Sequence, residues 1–213
     1  MRTFASEAES WWTQGAHPHR MITHQQRGMV MRAAVATGSS IEVRDDVPDP
    51  TPGPGQVLVH TIVCGICGSD LHALAAPEEM AQLNAAGGAG SVVHPGDPYV
   101  LGHEFTAEIV DFGPGTEGSL AVGSAVCALP YAMGPAGLEV IGFSPTLPGG
   151  FGELMVLQEA MLMPVPEGLD ARTAALTEPL AVGSIRWLSP MCSPAGRVMS
   201  WAAARSAWLS SWA

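Results

Sequence analysis

Cys64-Gly65-Ile66-Cys67-Gly68-Ser69-Asp70-Leu71-His72 places two thiols, a hydroxyl, a carboxylate and an imidazole within nine positions. The apolar or neutral run Val57–Val63 leads into it and predicts a strand that breaks at Gly65. Taken alone, Cys64-x-x-Cys67 has three readings of equal weight. It is a redox pair between a strand and a helix, half of a zinc site, or two buried cysteines beside a strand. A closed site of four thiolates needs a second pair, and Cys127 and Cys192 do not form one.

Two further segments carry chemistry. Gly102-His103-Glu104-Phe105 sets an imidazole beside a carboxylate after the apolar Tyr99-Val100-Leu101. It is not a metalloprotease helix, which needs a second histidine where Ala107 stands. By itself a His-Glu pair is usually a polar surface pair. Thr177-Glu178-Pro179-Leu180-Ala181-Val182 holds one carboxylate among apolar neighbours. Alone, that glutamate reads as a helix N-terminal charge favoured by the dipole.

In this order, Gly65–His72, Gly102-His103-Glu104 and Glu178-Pro179-Leu180 together resemble the zinc-dependent medium-chain alcohol dehydrogenase family. The nearest branches are those of sorbitol, butanediol and threonine dehydrogenases. Gly149-Gly150-Phe151-Gly152-Glu153 and Pro164–Leu169 add matches between them, and the resemblance runs from about 31 to 184. It implies a mainly β fold with a few short helices, a GroES-like, partly open β-barrel. Short apolar runs between Gly/Pro turns are consistent with that: Met31–Val35, Val57–Val63, Glu108–Phe112, Leu120–Leu129 and Leu154–Leu157 are predicted strands. Residues 74–98 are expected to mix a short helix with loop. Asp170 is expected to cap a helix over Asp170–Leu176.

The resemblance also implies a site. The family's catalytic zinc is held by one thiolate, one imidazole and a carboxylate or thiol, leaving a place for the substrate oxygen. Carried over, Cys67 is the thiolate and His103 the imidazole, and Glu104 and Glu178 compete for the remaining places. Asp70 accepts a hydrogen bond from a ligand imidazole and fixes its tautomer. Ser69 takes the proton of the alcohol. His72 passes it to solvent or, more plainly, is a polar residue on the first turn of a helix. Cys64 is not a ligand in this pattern. A second, structural zinc is not expected, because no cysteine lies between 128 and 191 and residues 131–148 read as a Gly/Pro-rich loop. Gly68 stands where some members have a basic residue for the cofactor's pyrophosphate, and Ser124-Ala125 replaces the customary Asp-Arg.

A nucleotide-binding Rossmann domain, which the family needs for NAD(P), is expected to be absent. Gly113-Pro114-Gly115-Thr116-Glu117-Gly118 fits G-x-G-x-x-G in form only. It precedes the strand-like Leu120–Leu129 instead of a helix, and Pro114 removes an N–H that could face phosphate. Composition divides the chain further. All six tryptophans lie at 11, 12, 187, 201, 208 and 212, and no acid follows Glu178. Residues 1–30 are expected to be a disordered extension and 185–213 an atypical tail, with a helix at 198–209. The shift at 184–186 suggests a frameshift, which reading the other two frames past codon 184 would test.

With 213 residues and a net charge of −11 whose nine basic residues are all arginine, the chain should not bind nucleic acid. No run approaches 18 apolar residues, so no membrane span is expected, and four scattered cysteines fit a reducing cytoplasm. The expected function is the catalytic portion of a zinc-dependent alcohol or polyol dehydrogenase acting on a small alcohol, truncated and inactive alone. The alternative is a non-catalytic zinc-binding or interaction module on the same barrel, with a thioredoxin-like role a distant third.

Overall fold

A computed structural model describes residues 29–86 and 93–188. The expectations for the extension before Met29 and for the tail beyond Leu188 lie outside these residues. From Met31 onward the described chain forms one compact unit.

Among the described residues, ten strands make three antiparallel sheets. In the first, β2 (Ser40–Pro48), β1 (Val30–Thr37) and β4 (Tyr99–Val100) are neighbours in that order. The second runs β10 (Leu162–Pro164), β6 (Ala125–Ala128), β5 (Phe105–Phe112), β3 (Gln56–Cys64), β9 (Leu154–Gln158). The third is the hairpin β7 (Tyr131–Gly134) and β8 (Gly137–Val140). β1 alternates, with Met31, Ala33 and Val35 facing the core. β3 lies inside its sheet, and Val57, Leu58 and Val59 are all buried, so no polar alternation is needed there. Ala34 N–H donates to Phe151 O at 3.0 Å and Glu153 N–H to Arg32 O at 3.1 Å, which ties β1 to the segment entering β9. One apolar core, from Met31 through Ile109 to Leu157, fills the space between the sheets.

Among the described residues there are four α-helices: α1 (Gly68–Ala75), which follows β3, α2 (Pro77–Ala86), α3 (Ala171–Ala174), which follows β10, and α4 (Thr177–Leu188). Asp170 caps α3 as expected, accepting from the N–H groups of Arg172 and Thr173. Pro179 falls in the first turn of α4, where its missing N–H costs nothing. α4 runs four residues past the compositional boundary at 184, to Leu188.

Three expectations need correction. Leu120–Leu129 shortens to Ala125–Ala128, because Gly123 turns the chain at φ +89°. Residues 131–148 are not all loop, since they contain β7 and β8. β2 was not expected, because its residues are almost all exposed and it pairs only with β1. The glycine-rich 113–118 segment is a turn after β5, as expected. Gly113 N–H donates to Gln56 O at 2.8 Å. The Glu117 and Gly118 N–H groups both donate to the Glu159 carboxylate at 2.7 Å.

Candidate metal centre and its relatives

The register of two strands builds the site. β3 and β5 are antiparallel, and Cys64 at the end of one pairs with Phe105 at the start of the other. Gly65 N–H donates to Glu104 O at 2.7 Å and extends the ladder one bond further. The chain leaving β3 and the chain entering β5 therefore meet at one sheet end. Cys67 arrives on the first, and His103 and Glu104 on the second. Gly102 makes the approach at φ +101°, with no room for a Cβ against Phe151 and Cys64. Gly65 is similarly confined, because a Cβ there would come within 2.6 Å of a Glu104 carboxylate oxygen.

One cysteine sulfur, one ring nitrogen and one carboxylate oxygen, from Cys67, His103 and Glu104, lie within 4.8 Å of one another. This is the only such trio among the described residues. Cys67 is also the N-cap of α1, where its backbone is extended (φ −77°, ψ 154°). Asp70, 1% exposed, accepts the Cys67 N–H at 2.9 Å through one oxygen. Its other oxygen lies 3.4 Å from His103 Nδ1. Neither of those two buried atoms has a well-aligned hydrogen-bond partner. Ser69 Oγ lies 3.4 Å from the opposite ring nitrogen, Nε2. Phe143 packs on the imidazole, with ring centroids 5.3 Å apart.

The electrostatics point the same way. Burial works against a charge on His103, but the carboxylate of Asp70 and the sulfur of Cys67 outweigh it and raise the imidazolium to about 9. Burial pushes Glu178 up, the charge on His103 pulls it down, and Glu104 and Asp70 push it up again. Glu178 thus faces the same corner from α4, although its carboxylate is not part of the close trio. Anionic groups crowd around a single imidazole, and a cation there would relieve their repulsion. Sulfur, nitrogen and oxygen donors in this number suit zinc.

The remaining expected residues separate. His72 lies farther along α1, with Nε2 3.8 Å from a Glu79 carboxylate oxygen on α2. Cys64 is held away from thiolate chemistry: burial first, then the charge of Asp70, pushes its thiol up to about 12. Its sulfur packs against Gly102 and Gly150. Cys127 is buried too, and its thiol donates to Ala174 O at 3.2 Å. Phe143 was missed from the sequence, because an aromatic in a Gly/Pro-rich segment gives no periodic signal. A cleft of about 450 Å³ opens between β1, β2 and residues 144–148, and it contains none of the site residues.

An antiparallel core thus carries an open cluster of cysteine, histidine and glutamate donors at one sheet end. Residues 53–167 match the family model described as the alcohol dehydrogenase GroES-like domain, so the chain belongs to that family. It is 34% identical over 163 residues to a glucose 1-dehydrogenase of Thermoproteus tenax, covering 71% of this chain and 43% of that protein. The crystal structure of 2R,3R-butanediol dehydrogenase from Bacillus subtilis superposes with a TM-score of 0.57 at 30% identity, over 71% of this chain and 45% of that one. The acetophenone reductase of Geotrichum candidum, solved in complex with NAD, gives 0.55 at 26% identity over 71% and 45%. The chain thus spans less than half the length of these relatives.

Proposed function

We propose that this chain supplies the zinc-binding catalytic domain of an NAD(P)-linked dehydrogenase that oxidises a small alcohol or polyol. One observation carries the reading: the Cys67, His103 and Glu104 donor atoms converge within 4.8 Å. The set would hold a zinc ion, which when bound supplies Lewis acidity toward an alcohol oxygen. Glu104 is the third donor in this reading, and Glu178 is the neighbouring carboxylate that adds negative charge. The close trio and the outlying Glu178 support that choice.

The protein's own groups do the rest. The Asp70 carboxylate, 3.4 Å from Nδ1, orients His103 through its charge, which leaves Nε2 toward the site. Ser69, 3.4 Å from that nitrogen, accepts the proton of the alcohol. His72, part-exposed and near Glu79, passes the proton to solvent. The chain spans less than half the length of its relatives, and in this reading the nicotinamide is held outside the described residues. On this reading the described domain is inactive by itself.

A non-catalytic metal-binding or interaction module on the same barrel is the second reading. Cobalt substitution tests the first part: a thiolate-to-cobalt band in the near ultraviolet should appear with the native chain and vanish with Cys67→Ser. A chain with no such band is not a metal domain of this kind. NAD(P)H fluorescence titration asks whether the chain holds the cofactor by itself: emission unchanged at every concentration fits a metal-binding domain or module alone, and a clear change would show nucleotide binding by this chain.

A further inference from the structure

Glu139 is among the most buried charged side chains described, at 1% exposure, and the proposed chemistry does not use it. It faces inward from β8. Oε1 accepts the Ala136 N–H at 3.1 Å. Oε2 accepts the hydroxyls of Ser144 and Thr146, the latter at 3.2 Å. Ser144 Oγ in turn accepts the N–H groups of Thr146 at 3.0 Å and Leu147 at 3.2 Å. Gly134 leaves no room for a Cβ beside the carboxylate. This knot ties both ends of the β7–β8 turn to the 142–147 loop.

That loop rests on the metal corner. Gly142, at φ +85°, brings its backbone against Gly102, and a Cβ there would lie 2.9 Å from Gly102 O. Phe143, next to Ser144, is 9% exposed and packs on the His103 ring. It shares a small apolar cluster with Ala73 of α1 and with Tyr99 and Leu101, which lead into Gly102-His103. The loop therefore touches both the backbone that delivers the imidazole and the face of the ring.

We propose that Glu139 is a positioning residue for the metal corner: its buried carboxylate anchors the 142–147 loop, which holds the His103 ring through Phe143 and Gly142. This rests on the metal reading only for its consequence, not for the positioning itself. A charge buried among one N–H and two hydroxyls is costly unless all partners stay in place. The knot accordingly favours a single loop conformation, and that conformation fixes the ring.

The test uses the full chain with isotope-labelled histidine, metal-free, and His103→Gln to assign the resonance. The wild type should give one set of His103 ring signals. Glu139→Ala should shift or split them, and Glu139→Gln, which keeps an acceptor for Ser144, should restore most of the wild-type pattern. Cobalt affinity should fall about tenfold in Glu139→Ala and in Phe143→Leu, as for other groups that orient a ligand. The double variant should lose no more than either single one. Unchanged His103 signals in folded Glu139→Ala overturn the proposal, as do cobalt losses that multiply to about a hundredfold. If Glu139→Ala does not fold, Ser144→Ala cuts the same link and is read the same way. A wild type that binds no cobalt sinks the metal reading instead, and the His103 signals still decide the positioning.

Discussion

Two buried carboxylates in this protein have opposite surroundings. Glu139 meets an N–H and two hydroxyls, so its corner is chemically complete. Asp70 is equally buried, yet the oxygen facing His103 has no well-aligned partner, and the ring it faces belongs to the trio with Cys67 and Glu104. A satisfied buried charge serves the fold. An incompletely satisfied one, facing the ring of a proposed ligand, is what the metal reading expects.

The largest test of that contrast removes the donors. Cys67→Ser or His103→Ala should lower cobalt affinity by more than the roughly hundredfold seen for outer groups, as measured by competition with a chelator. A loss no greater than that of Glu139→Ala would erase the distinction. Next comes Asp70→Asn, expected to cost about 10–100-fold in metal affinity. It should also lower the His103 titration from about 9, because the carboxylate's charge holds it up.

The third effect is in stability. His103 titrates at about 9 in the metal-free fold against 6.5 for the ordinary side chain. Folding therefore favours the protonated ring. That contribution, roughly 1–3 kcal/mol, is fully present below pH 6.5 and is lost as pH rises through 9. Urea unfolding from pH 6 to 10 should show the decline, and Asp70→Asn should flatten it. The smallest effect belongs to Cys64. Burial keeps the Cys64 thiol protonated at pH 8, so iodoacetamide should spare it in the folded chain. Cys64→Ala should leave cobalt affinity as it was. Rapid alkylation of Cys64 would revive the redox reading of the paired cysteines.

Much of this was legible in the sequence, but unevenly. β1, β3 and β9 follow apolar runs, and Asp170 marked its helix start. The site's members could be named from their order along the chain. Their meeting could not, because it depends on Cys64 pairing with Phe105, a contact between distant segments. β7 and β8 were hidden for a different reason. Tyr131, Met133 and Leu138 face outward while Glu139 faces in, so the usual polarity is inverted. β2 was masked by exposure along nearly its whole length, which leaves no buried face to read. Glu178 was placed at the corner from its motif, yet only the geometry separates it from the close trio.

The turn at 113–118 carries a lesson about strings of glycine. Its Glu117 and Gly118 N–H groups, with Ser119 at 3.4 Å, already grip the carboxylate of Glu159. The loop is an anion receptor that has closed on an anion from its own chain. A glycine pattern therefore becomes informative only once the occupant of its amides is known. Here the occupant is built in, and shortening it, as in Glu159→Ala, would turn an internal brace into a vacant cradle of three amides.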